Sequence, residues 1–274
     1  MPGLLGIVAD PTSAFADPLF MLPAPPFTLP MLPSVSGDWT VKLGVQGNMA
    51  PNFAGAKDLA FSPSPIVSIQ RAGSPDHFRS ALDNPSVAII DTGQFRAGVV
   101  GRYDGAQDRS TDKALRGLRK VDQSIEVGGF AEYFPLDWFR TRAEVRNSFG
   151  GQKGLLVNLS ADLIVPFSQR LTFSAGPRFA LKSTRALAPY FDVNAAESLT
   201  TGLPEYSVKG DAFSTGVGGQ ISYKLTPQWE LIGFAEYSRL LGSVANSPLV
   251  KRRGSADQIT VGLGVSYAFD VRVR

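Results

Sequence analysis

The single histidine of the chain, His77, lies among residues that could support hydrolytic chemistry. Asp76 precedes it, and Ser74 and Ser80 lie nearby on either side. A lipid hydrolase or acyltransferase would need a serine, a histidine and an acid or amide to converge in space. These residues fall in or next to a short turn between two predicted strands. The favoured interpretation is therefore a solvated turn histidine, with hydrolysis as the alternative.

Other residue types that commonly carry chemistry are scarce. The sequence has no cysteine, which excludes disulfides, thiolate metal sites and cysteine nucleophiles. Its glycines occur at alternate strand positions rather than in phosphate-binding loops, and no metal-ligand spacing is present. The net charge is only +3, with acids and bases interspersed, which argues against a nucleic-acid partner. We predict no catalytic residue, no cofactor and no metal.

A set of charged residues occupies alternate positions along the predicted strands, always opposite the bulky apolar residues. Its members are Arg96, Arg102, Glu126, Glu132, Arg140, Arg142, Glu144, Arg146, Asp162, Arg170, Arg178, Glu230 and Glu236. Successive side chains of a strand point to opposite faces, so these charges are predicted to face a barrel lumen. One interpretation is a polar lumen that selects solutes. The favoured alternative is a paired network that fills a narrow interior, because unpaired charges away from water are costly.

The last predicted strand, residues 257–269, shows most clearly what must position these charges. Every second residue from Ile259 to Phe269 is large and apolar, and the residues between are Thr, Gly, Ser or Ala. A soluble sandwich would carry polar residues on its outer face, whereas this pattern suits a strand with one face in lipid. The pattern begins at Asp38 and predicts about twelve strands. The least regular two are residues 77–82 and 87–90.

The predicted connections alternate in length. Turns at one end are short, whereas residues 105–121, 183–210 and 241–256 form long loops at the other end. This asymmetry is typical of outer-membrane barrels, with turns and both termini in the periplasm. The three tryptophans each begin a strand at the turn end, which predicts a periplasmic aromatic girdle of Trp39, Trp138 and Trp229. The charged 105–121 loop suggests either a solvated loop, which is favoured, or a site for lipopolysaccharide phosphates.

The two ends of the chain fall outside the strand pattern. Residues 1–16 contain a short apolar stretch, interrupted by Asp10 and Pro11, and end in Ala-Phe-Ala, like the remnant of a signal peptide. Residues 17–37 contain six prolines before position 34 and predict an irregular linker. We expect a single antiparallel transmembrane β-barrel over residues 38–269 and a tail at 270–274. Two prolines, Pro63 and Pro65, predict a bulge in the second strand.

Two predicted strands share the pentapeptide Gly-Phe-Ala-Glu-Tyr, at residues 129–133 and 233–237. With these repeats and several further segments the chain resembles the MipA/OmpV family, the MltA-interacting proteins of Gram-negative outer membranes. The segments are 114–118, 127–133, 190–196, 198–204, 237–242, 247–250 and 253–256. The closing strand also resembles the carboxy-terminal signal read by barrel-assembly machinery, through Gly264, Tyr267 and Phe269. The residue two before the glycine, Gly262, departs from the polar residue usual there.

The resemblance implies an outer-membrane barrel without catalytic residues. It further implies a scaffold that joins a lytic transglycosylase to a penicillin-binding protein in the murein machinery, in contact with outer-membrane lipid and lipopolysaccharide. The alternative function is a small-solute channel that uses the charged lumen.

Overall fold

The computed structural model describes residues 37–71, 77–108 and 110–273. The predicted leader and the predicted linker up to residue 36 lie outside these ranges. The described chain forms one antiparallel sheet of eleven strands. The strands are β1 (Gly37–Pro51), β2 (Leu59–Arg71), β3 (Ser86–Asp91), β4 (Phe95–Asp104), β5 (Ser124–Leu136), β6 (Phe139–Gly150), β7 (Gly154–Pro166), β8 (Leu171–Lys182), β9 (Asp211–Lys224), β10 (Trp229–Leu240) and β11 (Asp257–Val273).

The sheet curls into a nearly closed barrel because its first and last strands pair. β1 is hydrogen-bonded to both β2 and β11, and the remaining strands pair with their sequence neighbours down to β3. Every neighbouring pair is antiparallel, and eleven is an odd number. The two strands at the ends of the sheet, β2 and β3, therefore run in the same direction. No paired register joins them in the described chain.

The two faces of the wall differ as the alternation predicts. The odd-numbered residues of β11 lie on the outer face, where Leu263 is 74% exposed, and Phe61 of β2 is 67% exposed. The inner face of β11 is made of small residues, which leaves room for neighbouring side chains. A Cβ atom at Gly262 would lie 2.3 Å from Cζ of Phe234, a buried residue of β10. The predicted all-β barrel with an apolar outer face is confirmed.

The structure corrects three details of the predicted strands. Residues 77–82 form no strand, so eleven strands replace the predicted twelve. β11 continues to Val273 through the predicted tail, because β1 begins at Gly37 and supplies it with partners. The register between β1 and β2 passes Pro63 and Pro65 without a bulge. β2 is an edge strand and needs backbone donors on one side only, so prolines are tolerated there.

The connections differ between the two ends of the barrel. At the turn end, residues 92–94, 137–138, 167–170 and 225–228 join strands directly. At the loop end the longer connections contain a 3-10 helix and four short α-helices. They are the 3-10 helix Lys113–Leu115, α1 (Thr184–Phe191), α2 (Ala195–Thr201), α3 (Gly242–Asn246) and α4 (Pro248–Arg253). No helix among the described residues is long and apolar enough to cross a membrane.

Candidate functional site

The barrel interior is crossed by residues 77–85, which we call the luminal segment. On one side the backbone N–H of Ala81 donates to Oε1 of Gln220 on β9, at 2.7 Å. On the other side the Asp83 carboxylate accepts a hydrogen bond of 2.6 Å from the Arg140 guanidinium on β6. Because β6 and β9 lie three strands apart in the sheet, the segment spans the lumen between them.

Arg140 lies at the centre of the buried charge network. It is 0% exposed and pairs with three carboxylates, those of Asp83, Glu132 and Asp162. A guanidinium presents five donors in a fixed fork, so it can serve several carboxylates at once. Removing such charges from water costs several kcal/mol per ion, and multiple partners offset that cost. The luminal segment is thus held by one of the most buried ion pairs of the barrel.

The network continues towards the loop end along β6. Arg142 pairs with Glu132 and Glu144, and Arg146 pairs with Glu144 and Glu126. Cross-strand neighbours on one face of a sheet are close enough for such contacts. Asn84 of the luminal segment also donates to Glu144, at 2.7 Å. The segment and the wall therefore share one continuous set of hydrogen bonds.

The remaining charges predicted to face the lumen take different positions. Arg96 is buried and bonds Asp91 and Glu132, Arg178 bonds Asp162, and Glu230 pairs with Lys42. Arg102 is half exposed and pairs with Asp104. Arg170 lies exposed in the turn after β7, outside the strands, because β8 begins only at Leu171. Glu236 lies inside the barrel but forms no ion pair or side-chain hydrogen bond with any described residue.

His77 is not the solvated residue that its turn-like surroundings predict. Its side chain is 9% exposed and faces the ring of Phe134 at 4.9 Å. Its Nε2 atom is 3.5 Å from Oδ1 of Asp91. Ser80, the described candidate nucleophile, accepts instead from the backbone N–H of Leu82, and Ser74 lies outside the described residues. The structure brings no serine to His77 within the ranges that it describes.

The loop-end connections pack into one folded body, which we call the cap: residues 52–58, 105–123, 183–210 and 241–256. Two apolar clusters hold it together and attach it to the strand ends. The first contains Ala180, Leu187, Phe191, Val208, Phe213, Leu240, Val244 and Val250, and the second Phe53, Ala56, Leu115 and Leu249. Each large apolar side chain buried in this way contributes about 1.5–3 kcal/mol. The loops are therefore ordered structure that covers the loop end.

One ion pair ties two of these loops together. Arg119 donates from its backbone N–H, Nε and Nη2 to the Glu197 carboxylate, at 2.8–2.9 Å. Glu197 also closes a capping box with Asn194 at the start of α2. The hydrogen bonds from the Arg119 side chain are the main cause that lowers the pKa of Glu197 to about 2. The carboxylate is therefore ionised throughout the neutral range.

The predicted aromatic residues lie at the turn end of the barrel. Trp39 and Trp229 are near the starts of β1 and β10, and Trp138 lies in the turn before β6. The ring of Trp229 is 4.9 Å from that of Tyr267, which is followed at 6.2 Å by Phe269. Gly264 lies on the opposite face of β11, where a Cβ atom would be 3.0 Å from Cβ of Gln46. Among the described residues no group of three or more acids and histidines is arranged to hold a metal ion.

Sequence reasoning missed Asp83 and the luminal segment as a whole. In an extended chain Phe78 and Leu82 would share one face and His77 and Arg79 the other, which imitates a strand. The available signal was the run Asp83-Asn84-Pro85, three residues that favour turns and stop a strand. The capping box between Asn194 and Glu197 was a similar signal for α2.

Comparisons with known proteins agree with this architecture. A family model described as MltA-interacting protein MipA matches residues 43–269, which run from β1 into β11. Outer membrane protein Omp26La of Vibrio anguillarum is 38% identical over 189 residues, 66% of this chain and 66% of that protein. Outer membrane protein OmpV of Vibrio cholerae serotype O1 is 26% identical over 189 residues, with the same shares. The match thus spans just under two thirds of the relatives' length.

Solved structures give distant likenesses. The NanC porin has a TM-score of 0.40 at 9% identity, over 84% of this chain and 98% of that one. The COG4313 outer membrane channel from Pseudomonas putida F1 has a TM-score of 0.42 at 8% identity, over 87% and 97%. The family assignment rests on the sequence match, which covers most of the barrel. The chain belongs to the MltA-interacting protein (MipA) family of outer-membrane β-barrel proteins.

Proposed function

We propose that this protein is a closed, non-enzymatic barrel that serves as an interaction protein for the envelope and murein machinery. The observation that carries the proposal is the luminal segment, whose Asp83 is buried against Arg140 in the middle of the lumen. A chain segment and paired charges inside the lumen favour a closed barrel over an open pore. The family description as a MltA-interacting protein supports binding of a lytic transglycosylase, and a penicillin-binding protein is the second proposed partner.

The orientation that fits this role puts the turn end and both termini in the periplasm and the cap outside the cell. Short periplasmic turns and long external loops are the rule for such barrels. Gly37 at the start of β1 and Val273 at the end of β11 lie at the turn end, since the two residues are register partners. In this orientation Gly264, Tyr267 and Phe269 lie in the turn-end half of β11, on the periplasmic side where barrel-assembly machinery would read them. The cap would face lipopolysaccharide.

This orientation narrows down where a murein enzyme could bind. The described turn-end connections, such as residues 137–138 and 167–170, present little surface, whereas a specific interface needs about 800 Å² on each partner. Gly37, where the described chain begins, lies at this same end. We therefore assign the main partner contact to residues 17–36, assisted by the turns.

A pull-down from detergent-solubilised envelopes tests the scaffold role. The full chain should retain a lytic transglycosylase and a penicillin-binding protein, identified by mass spectrometry. A variant that lacks residues 17–36 should lose both, whereas Leu199→Asp, on the cap at the far end, should keep both. Recovery of no murein enzyme by the full chain would refute the scaffold role.

The second candidate is a small-solute channel. The observation in its favour is a cavity of about 90 Å³ in the lumen, lined by side chains of both charges. Conduction would require the luminal segment to move, because it lies across the lumen between β6 and β9. Planar-bilayer recordings of the full chain separate the two functions, since steady conductance steps support a channel and a silent membrane supports the closed barrel.

A further inference from the structure

A polar cavity lies between the luminal segment and the inner faces of β6, β7, β8, β9 and β10. It has a volume of about 90 Å³. Its charged lining side chains are those of Asp83, Arg142, Glu144, Arg178 and Glu236. A cavity whose volume is measured in this way needs about 10–15 Å³ to hold one water molecule, so the space suits a solute of a few heavy atoms.

Glu236 on β10 is the one acid of this lining without a partner. Asp83 and Glu144 are both ion-paired with arginines of β6. Glu236 forms no ion pair or side-chain hydrogen bond with the described residues, although most of its surface is removed from solvent. A carboxylate held away from bulk water without a counter-charge is unfavourable unless a ligand compensates it.

The Arg178 guanidinium lies close to Glu236 but forms no ion pair or hydrogen bond with it. The Arg178 guanidinium lies over Gly218, the register partner of Glu236 in β9. Its Nη2 donates to Asp162, and its Nη1 donates to the carbonyl oxygens of Ala161, at 2.8 Å, and of Pro177, at 3.0 Å. The ion-pair partner of Arg178 is therefore Asp162, which also pairs with Arg140.

The charges of the lining leave the cavity with a net negative character. Two arginines, Arg142 and Arg178, face three carboxylates, those of Asp83, Glu144 and Glu236. The arithmetic over these five groups is +2 − 3 = −1, and Glu236 is the one of the three carboxylates that forms no ion pair in the described part of the chain. Opposite charges attract more strongly in a poorly hydrated interior than in water. The cavity thus favours a cation over an anion.

Three hydroxyl groups add hydrogen-bonding capacity around the carboxylate. Ser160, Ser214 and Ser238 line the cavity, and their side chains make no hydrogen bond with the described residues. A hydroxyl oxygen offers two lone pairs to a donor. A protonated primary amine carries three N–H donors, which matches one carboxylate and two or more hydroxyl acceptors.

We propose that this cavity binds a small organic solute that carries a protonated primary amine. The ammonium group pairs with Glu236, and its remaining N–H groups donate to the serine hydroxyls. Arg142 and Glu144 form the floor of the site, and a polar substituent of the solute can reach them. This inference is independent of the scaffold role, since a closed barrel can hold a ligand between the luminal segment and the cap.

Isothermal titration calorimetry on the full chain in detergent tests the proposal. The buffer is phosphate, because amine buffers would compete. Ethanolammonium should bind, whereas ethylene glycol and glycolate, which are neutral and anionic molecules of similar size, should not. Glu236→Gln should weaken the binding at least tenfold. No measurable binding of ethanolammonium would overturn the proposal.

A matched control separates this site from the general charge of the lumen. Glu230→Gln makes the same chemical change on the same strand, but Glu230 already has Lys42 as its partner at 2.9 Å. This variant should bind ethanolammonium as the unchanged protein does, and an equal loss in both variants would refute a specific site. If Glu236→Gln does not fold, Ser238→Val gives the test, because it fills the cavity with the carboxylate in place. Undiminished binding by Ser238→Val would also count against the site.

Discussion

Replacing Asp83 by asparagine should release the luminal segment and turn a silent barrel into a conducting one. The Asp83 carboxylate is 2.6 Å from the Arg140 guanidinium, and the Asp83 and Arg140 side chains are 7% and 0% exposed. Breaking a buried ion pair by removal of one partner costs about 3–5 kcal/mol. Arg140 keeps Glu132 and Asp162, and the asparagine oxygen can still accept a hydrogen bond. The lower end of the range, about 3 kcal/mol, is therefore the expected loss.

A smaller free-energy difference between the two states raises the fraction of barrels in which the luminal segment is displaced. Each 1.4 kcal/mol is a factor of ten, so about 3 kcal/mol raises that population roughly a hundredfold. The assay is single-molecule recording in planar bilayers. The unchanged protein should show a flat baseline, and Asp83→Asn should show discrete steps that close and reopen.

The matched control is Asp58→Asn, the same change at an exposed cap residue outside the lumen. It should stay silent. Two results would refute the reasoning about the segment. If Asp83→Asn is as silent as the unchanged protein, the ion pair does not hold the lumen shut. If the unchanged protein already conducts steadily, the lumen is open despite the segment.

Three further predictions follow from the buried network, the orientation and the cap. Arg140→Met leaves three carboxylates without their shared cation, so the free energy of unfolding should fall by about 3–5 kcal/mol. A urea titration in lipid vesicles measures this loss. An unchanged midpoint would show that Arg140 does not stabilise the barrel. The chain has no cysteine, so single cysteines can be labelled one at a time. An impermeant maleimide on intact cells should label Leu199→Cys, because Leu199 is 89% exposed on the cap, but should not label Gln228→Cys at the turn end. The reverse labelling would refute the proposed orientation. Arg119 lowers the pKa of Glu197 from its ordinary 4.5 to about 2, so the stabilisation is present above pH 4.5 and is lost as the pH falls through about 2. The protection factors of residues 183–210 against hydrogen exchange, which are corrected for the intrinsic pH dependence, should fall in that window. Glu197→Gln should show the lower protection already at pH 7, and protection that does not change with pH would contradict this.

The wall of the barrel could be predicted from the sequence because its two faces meet different surroundings. Lipid selects Val261 and Leu263 on one face, and the interior selects small or charged residues on the other, so the period of two survives along whole strands. The signal is local and needs no knowledge of the partner strand. Among the strands that the structure contains, the six-residue β3 gave the weakest pattern, and the prolines of β2 predicted a bulge that its register lacks.

The contents of the lumen could not be predicted in the same way, because they depend on distant partners. Asp83 and Arg140 are 57 residues apart, and nothing in the local sequence pairs them. The same holds for Glu236, whose lack of a partner appears only when the neighbouring strands are in place. The prediction that Arg170 faces the lumen was wrong for a local reason. The two-residue period continues into the turn before β8, where it no longer indicates a strand face.

In the described chain the sheet stays unpaired between β2 and β3 because the luminal segment lies inside the barrel instead of in its wall. A strand formed by residues 77–82 would have run between β2 and β3, antiparallel to both, and would have given an even-numbered closed barrel. With that segment in the lumen the two flanking strands run parallel and lack a common register. An unpaired backbone donor in lipid costs several kcal/mol. Pro63 and Pro65 have no N–H to leave unpaired, and their register with β1 is unbroken.

The unpaired edge therefore has a compensation in the sequence of β2 itself. Moving residues 77–85 back into the wall would pair the edge but would strip Arg140 of Asp83 and leave Glu144 without the amide of Asn84. The buried network and the prolines act in the same direction. The buried network stabilises the luminal segment inside the barrel. The prolines of β2 lower the cost of the unpaired strand edge that results. An odd-stranded wall is thus the consequence of filling the interior, because the same nine residues cannot serve in both places.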